Sequence, residues 1–151
     1  MEWLDQGYLL SARRHGESAL IVSILTEANG RHPGLIRGGG SAKRRGLYQP
    51  GNLLEVNWCA RLPDHLGAYN CELIRANSVD FLDTPNKLLA LSSAVTLLDN
   101  ALPEREPVPD IFGSFRLLLD QLQSENWAVS YVRWELGLLS ELGFGLDLSK
   151  C

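Results

Sequence analysis

No apolar run in the 151-residue chain approaches the roughly 18 residues that a membrane-spanning helix needs. The opening residues Met1-Glu2-Trp3-Leu4-Asp5 offer neither a basic stretch nor an apolar one, so no signal peptide is expected. Cysteine is scarce: Cys59, Cys71 and Cys151 are the only three, and no two of them form a CxxC pair. That scarcity argues against a disulfide-stapled scaffold and points to a reducing, cytoplasmic compartment, with no cofactor expected in this stretch of chain. One further lack is local. From Arg31 to Arg45 there is not a single acid, although the chain as a whole has a net charge of −4.

That acid-free segment contains Arg31, Arg37, Lys43, Arg44 and Arg45, interleaved with Gly38-Gly39-Gly40-Ser41. A basic, glycine-rich loop with strand-like sequence on either side suits a polyanion, and phosphate backbones are the commonest one. The charge is also unevenly divided. Up to residue 79 there are nine Lys+Arg against seven Asp+Glu, and beyond it five against eleven. Two modules are therefore expected, 1–79 and 80–151, the first meeting nucleic acid and the second meeting protein.

The first module reads as short strands separated by turn residues: Tyr8–Arg13, Ala19–Thr26, His32–Arg37, Asn52–Trp58 and Tyr69–Ala76. Asn29-Gly30 is a hairpin signal between the second and third. Five short antiparallel strands in fewer than about 80 residues predict an all-β, closed barrel of the oligonucleotide-binding (OB) type, and an SH3-like barrel would give nearly the same pattern. Beyond residue 80 the period becomes helical. Thr84-Pro85 forms an N-cap and N1 pair ahead of Leu88, Leu91, Val95 and Leu98. The proline-rich Leu102–Pro109 stretch reads as a linker. Ile111, Phe112, Phe115, Leu118, Leu119 and Leu122 mark a second helix. A third places Val129, Val132, Leu136 and Leu139 on one face, widened by Trp127, Tyr131, Trp134 and Leu138, so it is expected at the centre of a bundle.

Catalytic constellations do not emerge, and the chain is not expected to be an enzyme. The glycine run lacks the G-x-x-x-x-G-K-[ST] spacing of a phosphate loop, because Lys43 is followed by Arg44. It reads equally as an anion nest or as a flexible spacer. His15 with Glu17, and Asp64 with His65, are polar pairs in expected turns. His32 reads as a surface histidine adding to the basic field, and Glu104 and Glu106 as solvated charge. Tyr48 is the one aromatic residue placed for stacking on a base, whereas Trp58 alternates with Val56 and Leu54 as a core residue would. Arg14 could extend the basic face.

Several stretches together carry a resemblance: Trp3; Arg14-His15-Gly16-Glu17-Ser18; Leu25 to Arg31; the glycine-rich basic run Gly38–Arg45; Leu47 to Leu54; and most specifically Trp134 to Leu148 followed by Cys151. The chain resembles the N-terminal and central part of the RecO family of bacterial recombination mediators in DNA repair. The resemblance implies an N-terminal OB fold followed by a truncated α-helical domain. It implies a non-catalytic protein that binds single- and double-stranded DNA, anneals strands, contacts the single-stranded-DNA-binding protein and RecR, and helps load recombinase. Carried onto this sequence, the DNA-binding residues would be Arg14, Arg31, Arg37, Lys43, Arg44 and Arg45, joined by Tyr48. Many members hold a four-cysteine zinc site, for which Cys151 would match the first ligand. The alternative is a protein-interaction module whose basic patch binds an acidic peptide tail.

Overall fold

The computed structural model describes residues 1–143, and the segment from Phe144 to Cys151 lies outside the described residues. Five strands come first: β1 Glu2–His15, β2 Ala19–Thr26, β3 Gly30–Ile36, β4 Leu53–Cys59 and β5 Ala68–Arg75. Three helices follow: α1 Pro85–Ala101, α2 Pro109–Gln121 and α3 Trp127–Glu141. Contacts divide the chain into one unit from Met1 to Pro109 and a second beginning at Asp110.

The sheet runs β1-β2-β3-β5-β4, and β4 returns antiparallel to β1. Four junctions carry antiparallel ladders, such as Leu20↔Ile36 between β2 and β3 and Trp58↔Tyr69 between β4 and β5. At the fifth junction β3 and β5 meet in parallel through one pair, Leu35↔Ala68, reinforced by the Leu35 amide donating to the Gly67 carbonyl at 3.0 Å. The sheet closes on itself in that order, but the all-antiparallel OB-type barrel expected from the sequence is corrected: the closure between β3 and β5 is parallel and rests on a single pair. Nor are all five strands short. β1 has 14 residues, bends at a register shift between Leu9 and Ser11, and serves both β2 and β4.

Alternation explains the core. Leu54, Val56 and Trp58 of β4, with Leu9, Leu20, Val22, Ile24, Ile36 and Tyr69, turn inward and are almost wholly buried. Helix α1 packs on β1 and buries Ala90, Leu91, Ala94, Val95 and Leu98, the face expected from its spacing. In the second unit α2 buries Ile111, Phe112, Phe115, Leu118 and Leu119. The face expected for α3 is corrected. Its buried residues are Trp134 and Leu138, whereas Val129 and Val132 are more than half exposed. The Trp134 ring sits 6.1 Å from Phe115 and 6.0 Å from Tyr131, so aromatic bulk rather than the Val stripe sets the packing face.

The segment read as a linker is docked instead. Leu102 is buried, the Arg105 amide donates to the Arg31 carbonyl at 2.8 Å, and Arg31 bridges Glu104 in a parallel pairing. Arg105 adopts a left-handed φ of 64°, and its guanidinium donates to the carbonyls of Pro63 and His65 and lies over the Trp58 ring. The strap from Leu102 to Glu106 thus ties the start of β3 to the β4–β5 loop.

Candidate nucleic-acid interface

The basic loop begins where β3 ends. Gly38 takes a left-handed φ of 73°, and residues Ala42–Arg44 form a 3-10 turn. The loop is pinned at several points. The Gly40 amide donates to the Ser18 carbonyl at 2.9 Å, the Ser41 amide to Gly38, and Gln49 Nε2 to the Arg45 carbonyl at 2.7 Å. Gly39 packs so tightly that an added Cβ would lie 2.8 Å from Ile36. The glycines therefore fit the loop against the β1–β2 hairpin, and two of the amides an anion nest would need are committed to carbonyls.

Asn52 is the organiser that sequence reasoning missed. It is fully buried, its Nδ2 donates to the carbonyls of Gly46 and Leu47, and its Oδ1 accepts from the Ser78 amide and hydroxyl. Its only sequence signal was a polar residue at the mouth of an apolar strand. Replacing it with alanine strands these partners in a buried site. Asn52→Ala is expected to lower stability by about 2–4 kcal/mol, read from urea unfolding.

The sequence-predicted site residues separate into two groups. Arg14, Arg37, Lys43, Arg44 and Arg45 are exposed, and none of them makes an ion pair among the described residues. Arg14 pairs across with Leu20, which pairs with Ile36. That row puts Arg14 two strand spacings, roughly 10 Å, from the residue preceding Arg37. The contact between Gly40 and Ser18 draws the hairpin tip to the same end of the sheet.

Arg31 and Tyr48 do not join them. Arg31 Nε donates to the Leu102 carbonyl at 2.8 Å and Nη1 lies 3.4 Å from Asp99, with only 15 % of its side chain exposed. Its charge holds the strap, so Arg31→Met is expected to cost about 1–3 kcal/mol in unfolding while leaving the salt dependence of any DNA binding unchanged. Tyr48 is 5 % exposed and belongs to the sheet core, so the stacking platform expected of it is corrected. Burial pushes its hydroxyl up to about 12, with Cys71 adding to the shift and Arg44 opposing it.

His32 is likewise not a surface residue. It is buried against Trp3, Trp58 and Tyr69, with ring centroids 5.1, 4.7 and 6.3 Å away. Burial holds its pKa below the ordinary value; Arg105 lowers it further, while the Pro33 carbonyl and Glu104 pull it up. The unfolded chain therefore takes up a proton that the folded chain resists. Stability is expected to be full above about pH 6.5 and to fall as pH drops below it. Thermal melts at pH 7.5 and 5.5 check this: His32→Gln should show a smaller difference between them than the native chain.

His15, which ends β1 rather than lying in the turn expected of it, is exposed, as are Glu17 in the β1–β2 turn and Asp64 and His65 in the β4–β5 loop. Among the described residues no group of three or more His, Cys, Asp or Glu could hold a metal ion, and no helix is long and apolar enough to cross a membrane. Cys151, the residue tied to zinc by the resemblance, lies outside the described residues.

A closed five-stranded sheet carrying an exposed cationic loop that forms no ion pair among the described residues, with helices following in sequence, defines a small β-plus-α protein. Residues 1–77 match the family model described as recombination protein O N terminal, and residues 82–151 match the one described as recombination protein O C terminal. The chain belongs to the recombination protein O family. Over its full length it is 51% identical to the DNA repair protein RecO of Rhodospirillum centenum, covering 60% of that protein. It is also 47% identical to the DNA repair protein RecO of a Ruegeria species and 45% identical to that of Rhodospirillum rubrum, covering 63% and 62% of them. The chain thus spans less than two thirds of the length of these relatives.

Proposed function

We propose that this chain supplies the DNA-binding part of a cytoplasmic recombination mediator in DNA repair. In this reading phosphates of single- or double-stranded DNA dock on Arg37, Lys43, Arg44 and Arg45, with Arg14 extending the face. Bases stay free to pair, and neutralising the phosphates lowers the repulsion between two strands, so complementary strands anneal and recombinase is helped onto single strands. The role is stoichiometric and asks for no catalytic group.

The observation that carries this reading is the loop itself: four exposed cations within nine residues, no acid among them, in a chain of net charge −4. Family membership supports it, and with it the single-stranded-DNA-binding protein and RecR as protein partners. Residues 1–79 would take the DNA and the acidic residues 80–151 the protein contacts. An annealing assay with two complementary labelled oligonucleotides tests it. The chain should accelerate duplex formation in proportion to its coverage of the strands, and an unchanged rate would contradict the reading.

A second reading, capture of an acidic peptide tail, is favoured by one groove. Gln49, Val79, Leu82, Leu88 and Leu91 line a cavity of about 450 Å³ with Arg45 among its walls. An apolar floor with a cation suits a peptide that pairs an apolar side chain with a carboxylate.

A further inference from the structure

Two buried polar atoms without a hydrogen-bond partner, the Tyr48 hydroxyl and Asn57 Oδ1, belong to residues that line one cavity. The cavity holds about 430 Å³ and lies beside β5, next to the seam where β3 and β5 share a single pair. Unpaired buried polar atoms are costly, and a site that keeps two of them together is suited to a ligand that supplies the missing partners. Arg44 lines the same cavity and belongs to the basic loop, so a strand held by its phosphates on that loop passes the opening.

The chemistry of the walls selects the ligand. Asn57 Nδ2 already donates to Glu2 Oε1 at 3.1 Å, which leaves its carbonyl oxygen as an acceptor. Glu55 and Glu72, both exposed on the walls, can accept but not donate as carboxylates. Arg44 supplies donors on one side. Such a wall repels phosphate from the Glu side and welcomes N–H groups.

We propose that this cavity receives one unstacked nucleobase whose edge carries an amino group, cytosine, adenine or guanine, in preference to thymine, with Arg44 holding the adjoining phosphate. Thymine would turn carbonyl oxygens toward Glu55 and Glu72, whereas the amino bases present donors to the same groups. Both orphan atoms carry almost no exposed surface, so engagement turns a rim side chain aside as the base enters. The inference rests on the DNA reading above and gives it a base preference that phosphate contacts alone cannot produce.

Anisotropy with labelled dC12 and dT12 at pH 7.5, using the whole chain, tests it. The native chain should bind dC12 about tenfold more tightly than dT12. Asn57→Leu should bring the ratio close to one by weakening dC12, and Glu72→Gln, at an exposed position where folding is not at stake, should lower the ratio in the same direction. Equal binding of dC12 and dT12 by the native chain overturns the base pocket while leaving the phosphate-docking reading intact, and a ratio that persists in both variants overturns it too. Failure to bind either oligonucleotide overturns the DNA reading from which it starts.

Discussion

Replacing Arg37, Lys43, Arg44 and Arg45 together by alanine is expected to remove nearly all salt-sensitive binding of a single-stranded oligonucleotide. Each cation that neutralises a phosphate releases condensed counterions, so the logarithm of affinity falls with the logarithm of salt at about 0.7 per contact on single strands. Four contacts give a slope near −3, and native affinity should drop about 50-fold between about 50 and 200 mM salt. The quadruple variant should show a nearly flat dependence and weak binding even at the lower salt. The substituted side chains are exposed and form no ion pair among the described residues, and only Arg44 acts on a core group, the Tyr48 hydroxyl, so the fold is expected to survive their loss. An unchanged thermal melt shows that the effect is electrostatic. Native-like binding by the variant, with the slope retained, would move the DNA site off this loop.

The second large effect is structural. Gly30 opens β3 with a left-handed φ of 71°, and an added Cβ would lie 2.0 Å from the Glu106 carbonyl oxygen. Neither backbone can yield easily. Gly30 is fixed by Thr26 Oγ1, which donates to its carbonyl at 2.7 Å, and Glu106 adjoins Arg105, whose amide and guanidinium are both committed. Gly30→Ala therefore combines a disfavoured conformation with a backbone clash, at a cost of about 3–5 kcal/mol. That is a large share of the stability of an ordinary domain. A fall in Tm of more than about 10 °C is expected, against almost none for Gly46→Ala, which meets no atom within 4 Å. A Tm unchanged in Gly30→Ala would mean that the strap does not sit on β3 in solution.

The strands were legible because apolar alternation and turn residues are local signals. Ala19–Thr26 coincides with β2, and the other four were placed near their observed positions. The long β1 was half missed because Glu2, Asp5 and Gln6 interrupt its apolar pattern, although the strand pairs with β4 along that stretch. How β3 meets β5 depends on residues 33 positions apart in sequence, Leu35 and Ala68, which no local pattern announces. The strap reads as a linker for a related reason. Prolines tell that a helix stops, and only the fold tells that Arg31 and Arg105 then clasp the chain to the sheet.

Within the candidate site the basic run is plain in the sequence, and Arg37, Lys43, Arg44 and Arg45 are exposed. Tyr48, Arg31 and His32 were misjudged because charge and ring character say nothing of burial. Tyr48 stands beside the basic run and so reads as a stacking ring, yet it fills the sheet core. Asn52 shows only as a polar residue ahead of an apolar strand and Asn57 as one within it, and each gains meaning only from the carbonyls or cavity beside it.

The most direct test of the central claim is a nuclear magnetic resonance titration of the labelled chain with a short single-stranded oligonucleotide, following every assigned amide. Docking on the basic loop predicts the largest shifts from Arg37 to Arg45 and at Arg14, reversed on adding salt, with α2 and α3 unmoved. Shifts centred on α2 and α3, with the Arg37–Arg45 amides still, would contradict it.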